Sequence, residues 1–278
     1  MKKIFIWCIF IAFSGIFSMV PASDRYIVYT ANINAMLQNC GCGQIRLGGL
    51  DRIKTFTDSL RTVHRDIIMI DGGDFLNSYP FPELDKATLT AFEGLHYTLM
   101  VPGEHEFVEG LKFFTNLTDR FSGQMLLSNA GMADGDGFIK EYRFDGCRFT
   151  AVLSASCFDY IEKPTELQFL DLKEIKTDEA GGKVFEVMIY HGLFSQLVKD
   201  IEKIPLPDMI LLSHDQFMGV QQLKGIPVVG AGKDGEQVVV IRLSDGNKYD
   251  VDFKKITEDL RPDPVITSII RHFEEETK

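Results

Sequence analysis

Side chains of the kind that bind metal ions recur at five places along the chain, most of them beside glycine. They are Asn32 and Asn34, then Asp71-Gly72-Gly73-Asp74, Gly103-Glu104-His105-Glu106, His191-Gly192 and His214-Asp215-Gln216. Imidazole nitrogens combined with carboxylate oxygens suit zinc, manganese or iron, and glycine lets backbone and ion approach closely. Taken singly, each stretch has a plainer reading, because Asp-Gly-Gly-Asp is a common turn and a lone histidine is most often a surface or satisfied core residue. The informative fact is that every stretch follows an apolar, β-rich run.

Those runs are Tyr26–Thr30, Ile67–Ile70, Tyr97–Val101, Val184–Tyr190 and Met209–Leu212, with a further one at Met125–Leu127. Their composition predicts buried strands. Segments with apolar residues on one helical face follow several of them: Leu50–Leu60, Leu84–Leu95, Val108–Leu117 and Leu193–Ile201. Such alternation predicts an α/β layered fold, in which ligand sites form where the carboxyl ends of strands converge. Two strand-rich stretches, Phe138–Leu153 and Val228–Phe253, predict another sheet packed against the first. Pro264–Glu275 reads as a closing amphipathic helix with Asp263 as its N-cap and Pro264 at its first position, and Glu174–Gly182 as the most polar loop.

With 278 residues, 45% hydrophobic and 25% charged, the chain supports one sizeable core and excludes disordered and multi-span membrane classes. A net charge of -11 repels phosphate backbones and anionic lipid at long range, so nucleic acid is not an expected partner. Lys2 and Lys3, the apolar run Ile4–Met19 and the small residues Val20 and Ala22 predict an export signal over residues 1–22, leaving residues 23–278 as a single periplasmic or extracellular domain with no membrane attachment after cleavage. The other reading of that segment is an uncleaved anchor. Export places Cys40, Cys42, Cys147 and Cys157 in an oxidising compartment, where an even number of cysteines suggests disulfides. Cys147 with Cys157 is one pairing, although it would require the strand between them to fold back. Cys40-Gly41-Cys42 reads as a redox or metal-binding pair, or else as a loop staple or two unpaired thiols.

The order of these stretches resembles the 5'-nucleotidase family of calcineurin-like metallophosphoesterases. That family runs Asn-Asp-x-His, Gly-Asp, Gly-Asn-His-Glu, a histidine before glycine, and Gly-His-x-His or Gly-His-x-Gln. The matching stretches are Ala31-Asn32-Ile33-Asn34, Gly73-Asp74, Gly103-Glu104-His105-Glu106, His191-Gly192 and Ser213-His214-Asp215-Gln216. Gly48-Gly49-Leu50-Asp51-Arg52 also looks like the family's glycine-led first helix. The resemblance extends from Tyr26 to about Leu243 and implies a four-layer αββα sandwich with a two-metal site between the sheets, acting on a small phosphorylated molecule. No stretch matches the C-terminal domain with which nucleotidases of this family hold the nucleoside.

Carried over position by position, the resemblance implies one metal site made of Asp74, Glu104, His191 and His214, in which a carboxylate replaces the family's amide. The neighbouring site would consist of Asn32, Asn34, Gln216 and a share of Asp74, having lost its own carboxylate and imidazole. Amide oxygens are weak ligands for these metals, so the expectation is a single divalent zinc, manganese or iron ion, with a second ion's site weakened or vacated. One ion with two anionic ligands also acidifies its water less. His105 matches the histidine that contacts the phosphoryl group and assists the leaving oxygen, and a position behind Asp74 or Glu104 is its other reading. Three functions stay open: a secreted phosphoester hydrolase, a non-catalytic module that captures an anion or a protein partner, and a thiol role for Cys40 and Cys42.

Overall fold

The computed structural model describes residues 24–39, 46–64, 67–119, 121–133, 137–176, 184–244 and 248–278. The expected export signal and the pair Cys40 and Cys42 lie outside them. In chain order the strands are β1 Arg25–Thr30, β2 Ile67–Asp71, β3 Leu99–Met100, β4 Gln124–Met125, β5 Ala130–Met132, β6 Tyr142–Phe144, β7 Cys147–Leu153, β8 Leu167–Phe169, β9 Phe185–Gly192, β10 Met209–His214, β11 Met218–Leu223, β12 Ile226–Ala231, β13 Gln237–Ser244 and β14 Lys248–Lys255. The α-helices are α1 Leu50–Val63, α2 Pro82–Leu95, α3 Leu111–Thr118, α4 Phe194–Asp200 and α5 Pro264–Glu276. Among the described residues, no helix is long and apolar enough to cross a membrane.

Two six-stranded sheets face each other, ordered β14-β13-β1-β2-β3-β4 and β11-β12-β10-β9-β7-β6, and β5 pairs with β8 apart from both. Within the first, β1 to β4 run parallel. Within the second, β7, β9, β10 and β12 do so. Because side chains alternate between the faces of a strand, each sheet feeds two apolar layers. Ile27, Tyr29, Ile68 and Ile70 meet Phe149, Ala151, Val187, Ile189 and Leu211 between the sheets. Val28 and Met69 turn the other way, against Leu50, Ile53, Phe92 and Ile266 of the helices. Val152, Met188 and Leu212 pack on Leu197 of α4. Three apolar interfaces thus separate four layers, the expected αββα sandwich.

Several local expectations need adjustment. Strands β13 and β14 do not join the second sheet: β13 pairs antiparallel with β1, and β14 extends the first sheet beyond it. Val239 and Ile241 fill the space between the sheets while Val238 faces the helices, so β13 is apolar on both sides and its pattern names no sheet. The helix expected from Val108 begins at Leu111, because Gly110 adopts a φ of 86 after the 3-10 turn His105–Phe107. Asp263 caps α5 as expected, its carboxylate accepting the N–H groups of Val265 and Ile266 at 3.0 Å each. Cys147 and Cys157 are both buried and not bridged. Cys147 opens β7 and Cys157 lies in the 3-10 turn beyond its end. At about 3.3 Å per residue the extended strand spans roughly 20 Å, which carries the two cysteines well outside disulfide range.

In the first turn of α2, Asp85 is buried and accepts the Asn77 N–H at 3.0 Å. Burial, reinforced by the Glu109 charge, pushes its carboxyl up to about 6, against the Asn77 hydrogen bond. A carboxyl held above its unfolded value favours the fold when neutral, so its full contribution is present below about pH 4 and is lost as pH rises through 6. Asp85→Asn keeps the acceptor and removes the titration. Thermal unfolding should find the two proteins alike near pH 4 and the variant more stable above pH 7 by on the order of 1 kcal/mol; a difference independent of pH would refute the assignment.

Candidate metal centre

The parallel strands of both sheets end at one edge, and the ligand-type stretches gather there. Asn32 and Asn34 follow β1, Asp74 follows β2, Glu104, His105 and Glu106 follow β3, and His191 and His214 are the last or next-to-last residues of β9 and β10. Sharp turns present them. Asn32, Asn34, Asp74 and His214 all adopt left-handed backbone, with φ between 53 and 64, which L-residues rarely do without compensation from their surroundings. Gly73 has φ 106, and a Cβ there would lie 2.5 Å from His191 Nδ1; one on Gly103 would strike Asp74 Oδ1 and the His191 ring. The glycines are therefore needed for close packing around the site.

At the centre, His191 Nε2 lies 3.1 Å from Glu104 Oε2 and 3.3 Å from Asp74 Oδ1. His214 Nδ1 lies 3.0 Å from Glu104 Oε1 and 3.4 Å from Asp74 Oδ2. His105 stands slightly further off, with Nδ1 3.8 Å from Asp74 Oδ1 and Nε2 3.7 Å from Glu104 Oε1. Donors about 2.1 Å from a common ion are separated by about 3.4 Å in a tetrahedral site and about 3.0 Å along an octahedral edge, so these spacings match shared ligation. Two overlapping candidate clusters result: Glu104, Cys157, His191 and His214, and Asp74, Glu104 and His105.

The electrostatics also fit a cation. His191 Nδ1 faces the Gly72 carbonyl at 2.8 Å, and the Ser213 hydroxyl donates to the same oxygen at 2.5 Å. With the Nδ1 proton held by that carbonyl, the Nε2 lone pair is left to point at Asp74 and Glu104. His105 Nδ1 and His214 Nδ1 are buried and, among the described residues, have no hydrogen-bond partner, although carboxylates surround them. Burial alone would raise the Asp74 carboxyl, but the His191 charge and imidazole hydrogen bonds outweigh it and hold it far below the usual range. Glu104 is likewise lowered to about 2, burial being overcome by contacts with His191 and His214. Burial opposes charge on His214 too, yet Asp74, Cys157 and Glu104 push it up to about 12. The cluster therefore stabilises positive charge strongly, whether borne by protons or by an ion.

Of the residues expected to form the second site, the two asparagines make hydrogen bonds to the surrounding loops. Asn32 Nδ2 donates to the Gly232 carbonyl at 2.7 Å while its Oδ1 accepts the His214 N–H at 2.8 Å. Asn34 Nδ2 donates to the Asn32 carbonyl and to Asp234 Oδ1, both at 2.9 Å. Gln216 is exposed beyond the end of β10.

Two contributors escaped the sequence reading. Cys157 stands in the 3-10 turn Ala155–Asp159 just past β7, where any residue of that turn was a candidate by the strand-end rule; the supposed disulfide masked it. Glu106 is fully buried and accepts the N–H groups of Gly103, Asp74 and Leu76 at 2.6, 3.0 and 2.9 Å, tying the Asp74 and Glu104 loops together. Burial and the Asp74 charge push its carboxyl up to about 8 in spite of those donors. Its sign in the sequence was its place in the Gly103-Glu104-His105-Glu106 stretch, which does not reveal where the carboxylate points.

No protein-family model matches the chain, and no curated protein does. Solved structures do. The sulfate thiohydrolase SoxB from Thermus thermophilus superimposes with a TM-score of 0.78 at 13% identity, covering 92% of this chain and 61% of that one. A 5'-nucleotidase precursor, also from Thermus thermophilus, gives 0.75 at 15% identity, covering 92% and 59%. The calcineurin-like phosphoesterase YfkN from Bacillus subtilis gives 0.69 at 15% identity, covering 91% and 97%. The chain thus spans about three fifths of the first two structures and nearly all of the third. At such low identity the likeness bears on architecture: the chain has the calcineurin-like metallophosphoesterase fold, with a cysteine-containing candidate metal cluster at its strand-end edge.

Proposed function

We propose that this protein hydrolyses phosphoester bonds of a small phosphorylated molecule with the help of one divalent ion held by Asp74, Glu104, His191 and His214. The observation that carries the reading is the convergence of two buried carboxylates and two imidazoles at donor-to-donor spacing, on the same edge of both sheets. A zinc, manganese or iron ion bound there supplies a Lewis acid for a phosphoryl oxygen and a source of activated water. The chain's own groups do the rest. Gly72 and Ser213 keep the His191 ring in one orientation, and Glu106 fixes the loops that present Asp74 and Glu104. His105, whose side chain is 15% exposed, stands beside both carboxylates, 3.8 Å from Asp74 and 3.7 Å from Glu104, and its partly exposed ring is suited to meet a phosphoryl oxygen and protonate the leaving group. The N-terminal stretch, two lysines ahead of an apolar run, supports an activity exercised outside the cytoplasm.

One observation favours a second reading, a binding module that retains the fold without turnover. The Asn32 amide is committed at both ends, to Gly232 and His214, and the Asn34 amino group to the Asn32 carbonyl and Asp234, which leaves a second ion little beyond neutral amide oxygen. The phosphoryl group would then be held by the ion and His105 but not cleaved.

Purified protein loaded with zinc, manganese or iron is expected to bind one ion per chain and to hydrolyse an aryl phosphate or a nucleotide only when loaded. His105→Ala should lower turnover by at least about 100-fold with its metal content unchanged. Absence of turnover from fully loaded wild type would decide for the binding module. Asn32→Asp combined with Asn34→His is expected to raise the ion count toward two, read by elemental analysis; a count that stays at one would show that the second corner cannot be rebuilt from those positions.

A further inference from the structure

We propose that Cys157 is itself a ligand of the ion, its thiolate joining Glu104, His191 and His214 in a nitrogen-oxygen-sulfur set that prefers zinc to manganese. The proposal rests on the reading that an ion is held at this edge and adds to it the atom that selects which ion.

The Cys157 thiol, Glu104, His191 and His214 each offer a donor atom, and all of these atoms lie within 4.8 Å of one another. The cysteine is 6% exposed, and the Cys157 N–H donates to the Ser154 carbonyl at 3.1 Å, which fixes its place in the turn after β7. Its sulfur makes a weak hydrogen bond, a 3.7 Å contact with the His191 carbonyl, within the backbone of another ligand. Beside it, His214 Nδ1 is a buried nitrogen without a hydrogen-bond partner among the described residues. A thiol whose one hydrogen bond is weak, a buried imidazole nitrogen 3.0 Å from Glu104 Oε1, and a second imidazole whose far nitrogen is already bonded converge on one carboxylate, an arrangement completed by a cation.

The alternative use of the thiol, a bridge to Cys147, is excluded by the length of β7. Ligation requires the thiol to lose its proton, which passes to solvent as the sulfur-metal bond forms. Thiolate is a soft donor and imidazole a borderline one, and this pair suits zinc, whereas manganese favours oxygen.

The test uses the full chain with Cys8→Ser, Cys40→Ser, Cys42→Ser and Cys147→Ala, so that Cys157 is the remaining thiol, loaded with zinc and measured by X-ray absorption at the zinc edge. A sulfur neighbour at about 2.3 Å is expected, alongside nitrogen and oxygen near 2.0 Å. Adding Cys157→Ser should leave an oxygen and nitrogen shell alone and narrow the zinc-over-manganese affinity ratio, read by competition titration, by at least about tenfold. If the multiple variant fails to fold, the wild type compared with Cys157→Ser gives the same readout. Zinc bound without a sulfur neighbour overturns the role of Cys157 and leaves the ion site standing. Failure to bind zinc, manganese or iron at all overturns both.

Discussion

Two carboxylates, Asp74 and Glu104, are buried side by side where water cannot stabilise them, and the rest of this edge of the molecule is arranged around that fact. Removing an ion from water costs several kcal/mol even after the protein relaxes. Two such groups in contact compound the cost, unless positive charge is supplied close by. His191 and His214 supply it when protonated, which is why both are held above the ordinary imidazole range despite burial that acts the other way. A divalent ion supplies it more compactly, because one centre replaces two protons and satisfies both acids at once. Loading the site and releasing protons are then a single linked event.

The fold makes this burial tolerable by distributing the cost. Strands from two sheets, packed through the apolar layer between them, each deliver one or two donors. The turns that follow the strands are locked by backbone and side-chain hydrogen bonds: Glu106 holds three N–H groups from two loops, while Asn32 N–H donates to Gly73 O and the Asn32 carbonyl accepts from Asp234 N–H. Behind them, Thr30 donates to Asp71 at 2.6 Å, and Asp71 accepts the Gly73 N–H at 3.0 Å. Burial pushes Asp71 up to about 7, with a further rise from the Asp74 charge, so this acid, like Glu106, is more easily neutralised than Asp74 and Glu104. Charge is thereby concentrated on the two carboxylates that face the histidines.

Much of this was legible in the sequence, for reasons that differ from residue to residue. The runs that became β1, β2, β9 and β10 are apolar on both faces, as strands in a covered parallel sheet must be, and this marked where their carboxyl ends lie. From there the positions of Asp74, Glu104, His191 and His214 followed. The αββα layering came from the resemblance and from the alternation of strand and helix. The partner of β13 was not legible, because a strand buried on both faces carries no sign of the sheet it joins. Nor was Cys157: a thiol reads as a disulfide candidate, a buried hydrophobe or a ligand, and it takes the length of β7 to remove the first and the donor spacing around Glu104, His191 and His214 to make the last a candidate. The roles of Asn32 and Glu106 depend on which way a side chain turns, which residue type and spacing do not encode.

The asparagine at position 32 shows how one corner of such a site holds together without a charge of its own. Its side chain donates to the Gly232 carbonyl and accepts from the His214 N–H. An amide can do both, whereas a carboxylate can only accept and would face the carbonyl oxygen at close range. In the absence of an ion, asparagine is therefore the better residue there, since it closes a hydrogen-bonded link between the loops after β1, β10 and β12. Aspartate at that place would require a cation to offset its repulsion from Gly232. The same reasoning runs in reverse at position 104, where a carboxylate contacts two imidazoles and an amide would have weakened both contacts. Each residue suits its own surroundings, and together they place the anionic charge beside His191, His214 and Cys157, while the corner at Asn32 is held by neutral hydrogen bonds.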